Sequence, residues 1–312
     1  MSANANFDAI ASSTRRYYAQ GKYADTVFNG LPVYAWLNSK GRKKTWDGGE
    51  VILEPVMTET NSTVQRQNPY DEVDFTPQNG FSAAQFSPKM YTASVVMSKV
   101  DQMKNSGAAK VIDLWKAKVD QSIEAFKTFF TTDLFTDVST TGPQAIVGLV
   151  NMVNSSGTYG NISRTSNTFW QSYVESTAGP LTTEDMRIAY NTAGRARGKI
   201  DFIVTTQTLY QKYESLVEPS LRIPSTKVGE LGFDSLTYKG IPIVWDPLCT
   251  SGVMYFLTSE YMALRPHVDG DFNWSDRLEP TKQFVDAMKV MWLGALTSCN
   301  PRYMAKLTGR TV

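Results

Sequence analysis

The chain has 312 residues, 42 % of them hydrophobic, with 31 basic side chains balancing 30 acidic ones. A net charge of +1 excludes a uniformly basic nucleic-acid-binding face, and this length buries a substantial core in one large or two intertwined domains. No apolar run approaches the roughly 18–20 residues of a membrane span, and the first residues lack the basic-then-apolar order of a secretory signal.

Residues 1–45 are polar, with scattered aromatics (Tyr17, Tyr18, Tyr23, Trp36), and end in the run KGRKKT. Seven basic residues, Arg15, Arg16, Lys22, Lys40, Arg42, Lys43 and Lys44, face the acidic Asp8 and Asp25, which leaves +5. Over residues 46–90 the sign reverses: Asp47, Glu50, Glu54, Glu59, Asp71, Glu72 and Asp74 face Arg66 and Lys89, which leaves −5. These are either two solvated surfaces or one segment lying across the other on a neighbouring copy.

From 46 to about 98 the pattern is a long open hairpin, with EVILEPVMTET and MYTASVVMSK as β-prone arms and NSTVQRQNPYDEVD and FTPQNG as turn-rich connections. Arms of about 12–14 residues reach on the order of 40–45 Å. An isolated ribbon of that length is marginal in water and needs a surface to lie on, its own body or a neighbour. Over residues 107–134 the period changes. Val111, Trp115, Val119, Ile123, Phe126, Phe130 and Leu134 recur every three or four residues, which predicts a long amphipathic helix capped by Asn105 or Ser106.

After Gly142-Pro143 come a short apolar segment and a small-residue loop, IVGLVNMVNSSGTYGNISRTSN, expected to serve as a flexible contact. TTEDMRIAYNTAGRARG reads as a helix with Thr182 or Thr183 as cap, DFIVTT as a strand and QTLYQKYESL as a further helix. LTYKGIPIVWDP and VMYFLTSEYMALRP read as strands, and AMKVMWLGAL as a long strand or buried apolar segment. Pro242 and Pro247 mark the first of these as an edge-type strand, since proline cannot donate to a ladder. Helices and strands alternate irregularly, which gives an α+β fold.

Reactive chemistry is thinly represented. His267, the sole histidine, sits in LRPHVDG and reads as a strand-end residue, not a general base. Cys249 and Cys299 show no CxxC spacing and read as small buried hydrophobes of a chain made in a reducing compartment. GRARGK is one residue short of a phosphate loop, and Ile200 stands where Ser or Thr would hold magnesium, so it reads as a basic helix end. In DGDFNWSDRLEP, Asp269, Asp271 and Asn273 have calcium-loop spacing. Trp274 replaces the turn glycine and Pro280 the closing glutamate, so a solvated turn is expected. Asn61-Ser62-Thr63 matches a glycosylation acceptor by pattern alone. No catalytic residue, cofactor or metal is assigned; a carboxylate-dependent soluble enzyme is the remaining alternative from another class.

The order of these parts resembles the major capsid protein of tailed double-stranded-DNA bacteriophages over nearly the whole chain. The stretches that carry the resemblance are FSPKMYTASVVMSKVDQMKNSGAAKVIDLWKAKVDQSIEAFKTFFTTDLF, in which a returning arm passes through a short polar link into a long helix, and KIDFIVTTQTLYQKYESL followed by LTYKGIPIVWDP and GVMYFLTSEYMALR. DAMKVMWLGALTSCNPRYMAKLTG resembles the family's closing segment. The resemblance implies an N-terminal arm at 1–45, an extended loop at 46–98 and a peripheral domain with the spine helix at 99–144. An axial domain at 145–262, peripheral strands at 263–300 and a return to the axial domain at 301–312 complete it. It implies pentamers and hexamers closing into an icosahedral shell around double-stranded DNA, assembled in the host cytoplasm and residing in the virion. A scaffolding protein, a portal and a decoration protein are the further partners, with no membrane involved. A separate scaffold, or a cleavage already reflected in the sequence, accounts for the missing charged N-terminal scaffolding segment. Loop-tip contacts are expected at Gln65, Arg66, Gln67 and Tyr70, and basic contacts of the arm at Arg15, Arg16, Lys40, Arg42, Lys43 and Lys44, toward DNA or a neighbour. Some relatives cross-link an extended-loop lysine. Residues 46–88 hold no lysine, so shell stabilisation is expected to be non-covalent. A nanocompartment shell of the encapsulin type, with enzyme cargo, is the nearest alternative.

Overall fold

The computed structural model describes residues 32–104, 114–194, 198–217, 236–271, 273–275 and 283–312. The first half of the chain forms α1 (Pro32–Ser39), β1 (Ile52–Met57), β2 (Phe81–Phe86), β3 (Lys89–Ser98), α2 (Lys99–Lys104), α3 (Leu114–Leu134), α4 (Val138–Thr141) and α5 (Leu149–Met152). Short strands β4 (Thr158–Tyr159), β5 (Ile162–Ser163), β6 (Tyr173–Glu175) and β7 (Gly179–Pro180) lead to α6 (Thr183–Ala193), β8 (Phe202–Thr205) and α7 (Gln207–Val217). The chain closes with β9 (Leu236–Tyr238), β10 (Ile241–Trp245), β11 (Met254–Leu257), β12 (Met262–Pro266), β13 (Asn273–Trp274), β14 (Val285–Ser298), β15 (Ala305–Leu307) and β16 (Arg310–Thr311).

β14 organises the first sheet. One of its edges pairs antiparallel with β3, from Val285↔Ser98 to Gly294↔Lys89, and its other edge pairs with β12 and β13. AMKVMWLGAL is therefore a strand, and its last residues are buried on both faces. Gly294 permits this crowding, because a Cβ there would stand 2.5 Å from the Arg265 carbonyl oxygen. α3 packs on β3 through Phe126 and Phe130, whose rings meet Tyr91 edge-on at 6.0 Å. Phe126, Phe130 and Leu134 lie on the stripe read from the sequence, and all three are buried. Asn105, Ser106 and Val111 lie outside the described residues, as do the side chains of Trp115, Val119 and Ile123.

The second sheet has the order β6-β15-β11-β8-β10-β9. β8 is buried on both faces, so its alternation serves two cores: Phe202 and Val204 join the cluster around α1 and α3, and Ile203 joins that of α6 and α7. α1 seals the first side, with Trp36 stacked on Phe202 at 4.7 Å. α6 begins with a reciprocal cap between Thr182 and Asp185, as the TTED sequence leads one to expect.

Four expectations are corrected. MYTASVVMSK does not return along EVILEPVMTET. β1 instead pairs with β2, FSAAQF, in six-residue arms from Ile52↔Phe86 to Met57↔Phe81, about 20 Å long. β3 is drawn away because a ten-pair ladder with β14 buries Tyr91, Val95 and Met97, which a free ribbon would leave wet. The polar link after β3 opens as helix α2. The strand of YKGIPIVWDP is not at the edge, since β9 covers it. Lys239 and Gly240, with φ of 50° and 79°, make the tight turn between the two. Pro242 is tolerated there because it opposes Thr237 one position from the turn-closing pair and precedes the first β8 partner, Ile243.

The small-residue loop after α5 is the fourth correction, being anchored rather than flexible. Arg164, 1 % exposed, donates to the carbonyls of Asn151 at 2.9 Å, Met152 at 2.6 Å, Ser156 at 3.3 Å and Trp170 at 3.2 Å. Its guanidinium also lies over the Tyr159 ring, and burial pushes its pKa down to about 10. Gly160, at φ 57°, closes the β4–β5 turn against Phe86 and Ala84 of β2, where a Cβ would meet ring carbon at 2.9 Å.

Candidate subunit-contact surfaces

The extended hairpin grows from a polar anchor. In ILEPVM the period of two sets Glu54 on the same inward face as Ile52 and Val56. A carboxylate on an apolar face requires partners, and it has them. Arg265 of β12 donates from Nε at 2.8 Å and from Nη2 at 2.7 Å, and the Thr297 hydroxyl of β14 donates at 2.9 Å. The hairpin root is thus bonded to the β12–β14 sheet. Glu54, Arg265 and Thr297 were not singled out in the sequence, although the charged residue on the apolar phase of β1 was the available signal.

Beyond the root, residues 58–80 have almost no burial. Their order comes from short polar turns. Asn61 Oδ1 accepts from the Thr63 amide at 2.8 Å, Asp71 Oδ2 accepts from the Asn68 amide at 2.7 Å, and Asp74 Oδ1 accepts from the Thr76 amide and hydroxyl. The Thr76 hydroxyl, then its amide, holds the Asp74 carboxyl below its usual pKa. Among the described residues no hydrogen bond of this loop reaches outside it. Gln65 and Gln67 both donate to the Glu72 carbonyl, whereas Tyr70 is 99 % exposed and Arg66 is exposed too. The structure therefore groups the four tip residues on one exposed loop. It adds Val64, Val73 and Phe75 on the loop and Leu53, Met57 and Phe81 on the outward hairpin face, all exposed apolar side chains.

The basic run lies elsewhere. Lys40 and Lys44 are exposed, Arg42 is half-buried, and Lys43 forms an ion pair with Asp271. Arg15 and Arg16 lie outside the described residues. The run continues beside β12 through two isolated parallel bridges, Lys43 opposite Leu264 and Trp46 opposite His267. His267 accepts the Asp269 amide at Nδ1 and meets the Trp46 ring edge-on at 5.1 Å.

Elsewhere, Asp246 is 1 % exposed in the turn after β10. Its Oδ1 accepts the Leu248 amide at 2.8 Å, its Oδ2 has no partner among the described residues, and burial pushes its pKa up to about 6. Cys249, beside it, is a free buried thiol, and Cys299 is also free. Among the described residues no group of three or more His, Cys, Asp or Glu side chains gathers to hold a metal, and no helix is long and apolar enough to cross a membrane.

No family model and no curated protein matches the chain. Among solved structures it resembles a chain of the cyanophage A-1(L) capsid asymmetric unit, at a TM-score of 0.74 and 16 % identity, covering 93 % of this chain and 96 % of that one. It is also similar to the holo-SrpI encapsulin complex of Synechococcus elongatus, at a TM-score of 0.60 and 12 % identity, covering 89 % and 88 %. A Mycobacterium phage Bobi structure matches at a TM-score of 0.56 and 11 % identity, covering 86 % and 89 %. The α+β architecture with a long helix, an extended hairpin and two sheets is the tailed-phage major capsid fold.

Proposed function

We propose that this chain is the structural subunit of an icosahedral bacteriophage capsid, assembling through pentamers and hexamers around double-stranded DNA. The observation that carries the reading is near-complete coverage of a cyanophage capsid chain at a TM-score of 0.74. The chain then works through its surfaces and carries out no reaction. The segments take the roles of arm (1–45), extended loop (46–98, with the loop proper at the β1–β2 hairpin and β3 joining the peripheral sheet), spine-helix region (99–144), axial domain (145–262), peripheral strands (263–300) and closing segment (301–312). A hairpin held at Glu54 and bare beyond residue 57 supports an extended loop that lies over the adjacent subunit, with Gln65, Arg66, Gln67 and Tyr70 in contact. The near-zero net charge supports weak, non-specific contact with packaged DNA. A scaffold, a portal and a decoration protein complete the assembly, which forms in the host cytoplasm and persists in the virion.

The second reading, an encapsulin-type shell around protein cargo, draws on the likeness to the Synechococcus complex and has the lower TM-score of the two. Electron microscopy of the purified recombinant chain, with absorbance at 260 and 280 nm on the same fraction, separates these readings. Rings or closed shells containing nucleic acid are expected. Shells filled with protein favour the second reading, and a uniform monomer that ignores added scaffold removes both. A denaturing gel of intact particles is expected to show single subunits, because residues 46–88 hold no lysine to link.

A further inference from the structure

Resting on the shell reading above, we propose that the basic segment at residues 40–46, whose end runs along the outside of β12, receives the acidic loop 58–80 of a neighbouring copy, not packaged DNA. Residues 42–46 run extended beside β12, joined to it by two isolated parallel bridges, Lys43 with Leu264 and Trp46 with His267. The Lys44 amide donates to the Leu264 carbonyl at 2.8 Å, the Leu264 amide to the Arg42 carbonyl at 2.9 Å, and the Trp46 amide to the Pro266 carbonyl at 2.9 Å. In this parallel pairing the amides and carbonyls of Lys43 and Thr45 point away from β12, and among the described residues they have no backbone partner. An open peptide edge is a template for another peptide backbone, which DNA does not have.

Charge selects the occupant. Lys40 and Lys44 are exposed with no ion-pair partner among the described residues, while Lys43 is engaged by Asp271 and Arg265 by Glu54. Asp47 and Glu50, exposed just beyond, confine the positive charge to the 40–44 end. The loop carries Glu59, Asp71, Glu72 and Asp74 against Arg66, a net −3. It makes no hydrogen bond outside itself among the described residues and presents Val64, Tyr70, Val73 and Phe75 to solvent. Strip and loop thus each lack what the other offers: the strip an acidic backbone partner, the loop a basic surface that shields its apolar side chains.

Reciprocal charge reversal tests this. One variant carries Lys40→Glu with Lys44→Glu, a second carries Glu59→Lys with Glu72→Lys, and a third combines all four. These side chains are exposed, and neither glutamate is the Asx residue of a loop turn. Shell yield is expected to fall about tenfold or more in each reversal and to return to within about twofold of wild type in the combination. Rescue of this kind is not available to a variant that merely misfolds. Two normally assembling reversals, or a combination that fails while the wild type assembles, overturn the inference and leave the shell reading standing. A strip reversal that assembles normally but holds less nucleic acid assigns the strip to DNA and also overturns it. A wild-type chain that forms neither rings nor shells removes the shell reading, and this inference with it.

Discussion

Two polar loops of this protein have opposite fates. NSTVQRQNPYDEVD, at the tip of the hairpin, holds four Asn, Ser and Thr and three acidic side chains, whereas NSSGTYGNISRTSN, after α5, holds nine of the former and none of the latter. The first is exposed along its length and bonds only to itself. The second wraps Arg164, whose guanidinium serves four carbonyls, and lays Tyr159 and Trp170 into the core, where the Trp170 indole donates to the Tyr159 carbonyl at 2.9 Å. Small polar residues tolerate either environment. What separates the loops is the acidic charge of the first and, in the second, a buried cation with carbonyls to bind, over the Tyr159 ring and close to Trp170 just past the loop.

The comparison breaks most visibly at Arg164. Arg164→Met strands four carbonyl acceptors, and a loss of about 4 kcal/mol or more is expected in urea unfolding. A change below about 1 kcal/mol would mean that water replaces the guanidinium and that the anchored loop resembles the free one. Next in size is the hairpin anchor. Glu54→Ala leaves Arg265 without its carboxylate and is expected to cost about 3 kcal/mol, with faster amide exchange in β1 and β2 and none gained in α6 or α7.

Asp246 extends the contrast from burial to pH. Its folded-state pKa is raised to about 6 from 3.8, so folding favours the protonated form. That contribution is complete below about pH 4 and is lost as pH rises through about 6, a decline on the order of 3 kcal/mol. Asp246→Asn is expected to flatten the melting-temperature profile across that window, and parallel profiles would place the pH dependence elsewhere. The smallest effect belongs to the free loop. Arg66→Ala with Tyr70→Ala is expected to change subunit stability by less than about 0.5 kcal/mol while lowering shell yield. A large loss of subunit stability would show that the tip is structural within its own chain.

Local features of this fold were legible in the residues themselves. The stripe through Phe126, Phe130 and Leu134 announced α3, TTED announced the cap of α6, and the apolar runs DFIVTT and AMKVMWLGAL are strands. These signals act within a few residues, through backbone sterics and the period of burial. Pairing was not legible. FSAAQF and MYTASVVMSK are both β-prone, and which of them meets ILEPVM depends on the ladder that β14 offers from the other end of the chain. Glu54 and Arg265 stand 211 positions apart, so the anchor of the hairpin leaves no local trace beyond a charge on an apolar phase. Gln65, Arg66, Gln67 and Tyr70 were recognised as one exposed loop, because turn residues and the lack of apolar alternation are local properties. Composition and periodicity therefore determined the elements, the charge reversal and the bare loop. The partner of each strand, the burial of Arg164 and the open edge at Lys43 and Thr45 were decided only when distant segments competed for the same hydrogen bonds and the same core volume.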